Sequence, residues 1–323
     1  MIIRFGEVRK EDIENKALQA LRTFLDGKEP LLVQFLQRTW KHQGAAITYK
    51  EIREAILSAK MGTGIENIPF FNQTMDLWQQ DYARVVVERI APAWEKAARQ
   101  ATGKIIEQVS GLQLRGYEDG IRSWINDVSA TFITNTTETQ INALKHVVRR
   151  AAEFNDLSVD TLAHTIRPMI GLTEPQARAN MNYFQSMIEN GVSEKVAVNR
   201  AAKYAEKQHR YRAYDIARTE LAYAYNHGAD VAVREAQKIG LLGEMKKQWI
   251  TAEDERVCSV CGQLDGITIE MSAEFDFSTK LTYPGIRLQA PAHPKCRCVV
   301  IYIEVSDTGI KLNERRTEFA EPI

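Results

Sequence analysis

A chain of 323 residues is long enough for about two domains. It carries 42 Lys/Arg against 42 Asp/Glu, so no global field draws it to nucleic acid. No run approaches the roughly 20 apolar residues that span a bilayer, and Met1-Ile-Ile-Arg-Phe-Gly6 is too short and too soon followed by charge for a secretory leader. The composition is that of a soluble, folded protein, and its few glycines and prolines favour long helices.

Taken in order, the chain begins with Ile13, Ala17, Leu21, Phe24 and Leu25 at helical spacing, with Gly27 as the expected stop. Leu31, Leu32, Phe35, Leu36 and Trp40 form a second stripe. Thr48-Tyr-Lys-Glu51 is a capping box that opens a third helix through Ile52, Ile56 and Leu57. A long helix is expected from about Phe70 to Thr102, packed through Trp78, Val85 and Trp94 and bent or interrupted at Pro92. Residues 103–118 read as a glycine-bearing connector.

Helical signals then resume. Thr137-Glu-Thr-Gln140 reads as a capping box opening a helix, Ser158 caps a short one, and Thr173-Glu-Pro-Gln176 opens the next. Ser193 starts a long helix that passes Arg218 and, with a break near Gly228, reaches Lys238. In residues 195–218, seven Lys/Arg face only two acids. Arg200, Lys203, Lys207 and Arg210 fall on one stripe beside Tyr204 and Tyr211, opposite Val198, Ala201, Ala202 and Ala205. Such a stripe can contact phosphates and bases; the plainer reading is the wet face of an amphipathic helix.

All four cysteines lie in the last part of the chain, as Cys258-Ser-Val-Cys261 and Pro291-Ala-His293-Pro-Lys-Cys296-Arg-Cys298. A two-residue gap lets both sulfurs of a tight knuckle point at one ion, and a second knuckle completes a tetrahedron. Soft thiolates favour Zn²⁺ over Mg²⁺ or Ca²⁺. Five donors compete for four places: Cys258, Cys261, His293 and Cys296 are the expected ligands and Cys298 the spare, with a four-cysteine site as the other arrangement. Two disulfides would use the same residues in a secreted chain. With four protein ligands the ion would be structural. Asp265-Gly266 signals a two-residue hairpin, and Trp249-Ile250, Ile267–Ile269 and Val299–Val305 read as strands, with an irregular excursion over 272–292.

No phosphate-binding glycine loop, Ser/His/Asp order or His-Glu-x-x-His is present, and His42, His146, His164 and His209 stand isolated. Asp254 and Arg256 form either a catalytic pair or a turn salt bridge, the latter being the expected one. No active site is identified.

The run Arg212-Ala-Tyr-Asp-Ile216-Ala-Arg218-Thr-Glu220-Leu, then Asn226-His-Gly228, Trp249, Asp254-Glu-Arg256-Val-Cys258-x-x-Cys261, Leu264-Asp-Gly266 and His293-Pro-x-Cys296-Arg-Cys298 resembles the phage head-morphogenesis family, the Mu F-like minor head proteins of tailed phages. The resemblance covers roughly residues 135–305. It implies a minor capsid component that associates with the portal, and with capsid or scaffold proteins, inside the head, and assists assembly, DNA packaging or ejection. The implied location is the virion, near the portal, with the host cytoplasm during assembly. It also marks Arg218, Glu220, Asn226, Asp254 and Arg256 as signature residues, with Arg218 and Glu220 read as bridging the helices to the metal-clipped sheet. Some relatives carry a toxin enzyme after this domain; here only a polar tail follows Val305, so no enzyme is expected.

The expected architecture is mainly α with a small C-terminal zinc-stapled β module (α+β). Its parts are an N-terminal helical region (1–134), the helical part of the Mu F-like domain (135–246), the knuckle β module (247–305) and the tail (306–323). The rival readings are a zinc-ribbon DNA-binding protein and a nuclease or toxin.

Overall fold

The computed structural model describes residues 1–3, 10–109, 117–252, 254–255, 257–275 and 289–305. Among them the helices are α1 (Lys10–Ala46), α2 (Tyr49–Lys60), α3 (Pro69–Val85), α4 (Ala91–Ile106), α5 (Tyr117–Ala152), α6 (Val159–Ile166), α7 (Glu174–Glu189), α8 (Glu194–Lys238) and the short α9 (Ser259–Leu264). The strands are β1 (Ile2–Ile3), β2 (Met245–Ile250), β3 (Thr268–Glu270) and β4 (Val299–Glu304). This is the mainly helical chain with a small sheet that the sequence predicts.

Several helix boundaries differ from the sequence expectation, each for a physical reason. Helix α1 does not stop at Gly27; it continues unbroken through Gly27 and Pro30. The buried stripe outweighs the local cost of the two breakers, since Leu21, Phe24, Leu25, Leu32, Val33, Leu36 and Trp40 are all buried. Leu31 and Leu57, assigned to buried stripes, point to solvent instead. The interruption expected at Pro92 comes a turn earlier, as a π-helical segment over Val86–Ile90. Proline lacks the N–H and crowds the carbonyl four residues back, and a widened turn accommodates both.

Thr137-Glu-Thr-Gln140 caps nothing, because it lies inside α5. The i, i+3 spacing that suggests a capping box also places both side chains on one buried helix face, where Thr137 is fully buried and Gln140 joins a polar network. The break foreseen near Gly228 is absent and α8 is one 45-residue helix. The capping boxes at Thr48 and Thr173 and the cap at Ser158 are as read.

The chain divides into two compact units. Unit 1 comprises residues 1–28, 93–124 and 218–323, and unit 2 residues 29–92 and 125–217. Unit 1 holds the sheet, in the order β1-β4-β2-β3. Strand β2 runs antiparallel to β3 and β4, with Lys247 opposite Tyr302 and Trp249 opposite Val300. The two-residue β1, not foreseen from the sequence, pairs parallel with β4, and Gln108 holds its Ile2 by accepting from the N–H at 3.1 Å and donating to the carbonyl at 3.2 Å. The Asp265-Gly266 hairpin is also corrected: residues before it form α9, and Gly266, at φ 75°, turns that helix into β3.

In unit 1 the second half of α8 carries the sheet. Asn226 Oδ1 accepts from the Val300 N–H at 3.0 Å, and its amide donates to Ala222. Two residues on, Gly228 meets α4 backbone to backbone: a Cβ there would lie 2.4 Å from the Cα and carbonyl oxygen of Ala98. Thr102 Oγ1 donates to both the Ala98 and Gly228 carbonyls at 2.9 and 3.0 Å. The glycine is thus a contact requirement rather than a breaker.

Among the described residues of unit 2 the regular elements are all helices. Its core is threaded by polar bonds: Trp40 Nε1 donates to Tyr82 Oη at 2.8 Å, Tyr82 to Gln140 at 2.5 Å, and Gln140 to Gln43 at 3.0 Å. Burial pushes the Tyr82 hydroxyl up to about 12, so it remains a donor. Asn180 joins α7 to α8 through the Ala201 carbonyl and Gln208.

Candidate metal centre

The first knuckle follows from local structure. Cys258 is the N-cap of α9, in extended backbone, so the next residues turn at once and bring Cys261 back beside it. The Cys261 N–H donates to Cys258 Sγ at 3.4 Å and the Gly262 N–H to the Cys258 carbonyl at 2.9 Å. In the second knuckle the Cys296 N–H closes on the His293 carbonyl at 3.1 Å, through Lys295 at φ 67°.

The two knuckles meet. His293 Nε2 lies 3.0 Å from Cys258 Sγ and 3.3 Å from Cys261 Sγ, and Cys261 Sγ lies 3.7 Å from Cys296 Sγ. Sulfurs at about 2.3 Å from a common tetrahedral centre stand about 3.8 Å apart, and a nitrogen at about 2.0 Å stands somewhat closer to them, at about 3.5 Å. The spacing fits a shared ion. The donors form two triads, Cys258/Cys261/His293 and Cys261/Cys296/Cys298, that share Cys261, and either can hold a metal ion. All four thiols are free.

The surroundings suit ligation. His293 Nδ1 contacts the Pro294 carbonyl at 2.8 Å, which fixes the tautomer and leaves the Nε2 lone pair facing the sulfurs. Cys261, Cys296 and Cys298 are buried, while Cys258 and His293 are partly exposed. Packed together, the thiols cannot all ionise unaided. Hydrogen bonds from Cys261 and Cys298 hold Cys296 well below the usual thiol value, and the bond to Cys296, then that to Cys298, then burial, pushes Cys261 up. A divalent cation would relieve that conflict by taking the protons' place.

Arg297, between the last two cysteines, was not singled out in the sequence. Its guanidinium grips both carboxylate oxygens of Asp254, with one bond of 2.6 Å, and ties the second knuckle to the segment before the first. That bond raises the Arg297 pKa. Asp254 therefore has Arg297 as a partner; Arg256, its expected one, lies outside the described residues. Arg218 sits 3.9 Å from Asp26 of α1, and Asp26, Arg218, Asp254 and Arg297 line one cleft of about 450 Å³ in unit 1. Glu220 is buried on α8, and the direct bond from α8 to the sheet noted above is made by Asn226. Arg200, Lys203, Lys207 and Arg210 are all exposed in unit 2, on the face of α8 opposite the buried Ala201, Ala205 and Gln208.

Among the described residues no helix is long and apolar enough to cross a membrane. No curated protein and no solved structure matches this chain. A family model does: residues 180–301 match the family described as phage Mu protein F like protein. The matched stretch runs from α7 through α8, both knuckles and the first part of β4, and begins later than the 135 suggested by the motifs. It is a structural family of phage proteins. Over residues 180–301 the chain thus resembles the phage Mu protein F like family, which points to a phage head-related protein.

Proposed function

We propose that the chain is a minor head component of a tailed phage that docks on the portal inside the head during assembly and carries a structural Zn²⁺ in its sheet-bearing unit. The observation that carries this reading is the coincidence of the family match with two triads of thiol and imidazole donors that share Cys261. Cys258, Cys261, His293 and Cys296 are the proposed ligands and Cys298 the spare thiol beside them. The fixed His293 tautomer supports His293, rather than Cys298, as the fourth ligand. Four protein ligands leave the ion no open position, so its role is to fold rather than to catalyse. Asp254, held by Arg297, acts in this reading as a brace for the knuckles and not as a nuclease carboxylate.

Native mass spectrometry of the full chain, alone and mixed with the portal protein encoded beside it, tests both halves. One zinc per chain and a defined portal complex are expected. A metal-free chain that forms no complex would overturn the proposal.

A second reading, contact with packaged DNA, rests on the exposure of Arg200, Lys203, Lys207 and Arg210 on one face, where Lys207 also lies over the Tyr211 ring at 5.9 Å. The triple variant Arg200/Lys203/Lys207→Ala should lose DNA retention, and wild-type affinity should fall steeply with salt. Unchanged retention would sink it.

A further inference from the structure

Unit 2 contains a cleft of about 520 Å³ lined by the end of α1, the turn after α6 and the exposed side of α8. That volume suits a small ligand. Its charge is lopsided: Lys41, Arg167 and Arg210 line it against a single carboxylate, Glu206. None of the three cations forms an ion pair with a described residue. Elsewhere in the unit such groups do pair, as Arg53 with Asp160 at 2.8 Å and Arg150 with Glu153.

Arg167 is also pre-set. Its Nε and Nη2 donate to the Gly44 and Ala45 carbonyls at 2.9 and 3.1 Å, and its guanidinium lies 4.4 Å from the centre of the Tyr49 ring. Behind the cleft wall a fourth cation adds to the field. Arg212 is buried, stacks 5.0 Å from the Trp40 ring and donates to the Gly171 carbonyl, with no carboxylate among its described partners. A desolvated guanidinium without a counter-charge makes the neighbouring space attractive to an anion. His209, also on the wall, is held neutral by burial and by Arg212 and so does not add to the charge.

The rings do not provide a stacking platform. Trp40 is buried, and both faces of Tyr49 are occupied, by Arg167 and by His164 at 4.0 Å. The recognition left is of charge and of oxygen acceptors, which guanidinium forks and an ammonium supply for phosphate. We propose that this cleft binds a phosphate group, either of a free phosphorylated anion or of a nucleic-acid strand that follows the basic face of α8, which Arg210 shares.

The test is calorimetry on the full chain at constant ionic strength, with inorganic pyrophosphate and, separately, with a dT oligonucleotide. Lys41→Ala, Arg210→Ala and Glu206→Gln are the variants. Lys41 is the diagnostic position because it lies on α1, off the α8 stripe. Saturable pyrophosphate binding that weakens at least tenfold in the Lys41→Ala/Arg210→Ala variant and tightens in Glu206→Gln supports a free-anion site. Oligonucleotide binding alone, weakened by Lys41→Ala, supports the cleft with the strand as the source. Oligonucleotide binding indifferent to Lys41→Ala, with no pyrophosphate binding, overturns the cleft and leaves the α8 stripe standing. Failure of both ligands overturns both, as does pyrophosphate binding that the variants leave unchanged.

Discussion

Both units bond buried polar side chains to one another or to backbone, but among the described residues only unit 1 also holds donors that could bind a metal ion. Unit 2 contains no cysteine, and side-chain bonds run through its interior, in the Trp40–Tyr82–Gln140–Gln43 chain and the Asn180–Gln208 pair. Unit 1 holds a four-stranded sheet, two of whose strands have only two and three residues, and gathers every thiol of the protein beside it. So small a sheet offers little apolar area, and a metal ion held by the cluster would supply a cross-link in its place. One unit should therefore depend on metal and the other should not.

The largest expected effect follows directly. Cys261 belongs to both donor triads, so Cys261→Ser should abolish metal binding and unfold the segment from β2 to β4, removing on the order of 10 kcal/mol of apparent stabilisation. Cys298→Ser should keep one zinc per chain. Equal zinc content in the two variants, measured by atomic absorption, would contradict the ligand assignment.

Gly228→Ala breaks a contact of unit 1 that has nothing to do with metal. The added methyl meets the Ala98 backbone, which cannot swing aside, and should cost about 3 kcal/mol in urea unfolding. Gly103→Ala, also in a helix of unit 1 but with open space around its Cβ, should stabilise by about 0.5–1 kcal/mol. If both substitutions behave alike, the close approach of α8 and α4 is wrong.

A pH effect is expected in each unit. Burial first, then Arg212, lowers His209 in unit 2 to about 4, and burial lowers His227 in unit 1 to about 4. Each is neutral when folded and binds a proton more readily when unfolded, so its contribution is complete above about pH 6.5. It is lost as pH falls towards 4, by about 3 kcal/mol per histidine. Metal affinity itself depends on pH, so His209, in the unit without the cysteines, gives the cleaner readout. His209→Phe should flatten the pH dependence of unit 2 in urea unfolding between pH 7 and 4, and an unchanged slope would contradict it.

Asn226→Ala is the smallest of the losses, about 2 kcal/mol, because it leaves the buried Val300 N–H without its acceptor. Accelerated hydrogen exchange at the Val300 amide would report it directly.

The sequence made the chemistry of unit 1 legible for a simple reason: metal ligands are few, chemically distinct and bound to fixed spacings. The five donors it named fall in two triads that share Cys261. It was less informative about helix boundaries. Gly27 and Pro30 argue locally for a stop, but the buried stripe from Leu21 to Trp40 decides. Thr137-x-x-Gln140 carries the spacing of a cap and that of a buried helix face, and only tertiary packing separates them. Asp265-Gly266 is likewise a turn in either reading. Contacts between distant segments left no local pattern: β1 against β4, the Arg297–Asp254 brace, and the burial of Arg212 against Trp40 are invisible until the chain is folded.

The most direct test of the central claim is hydrogen exchange on the zinc-loaded chain with and without a strong chelator. The account predicts that chelation releases one zinc and makes residues 245–250, 259–264 and 299–304 exchange rapidly, while the amides around Tyr82, Gln140 and Gln208 in unit 2 keep their protection. Exchange unchanged by chelation, or lost to the same extent in both units, would contradict it.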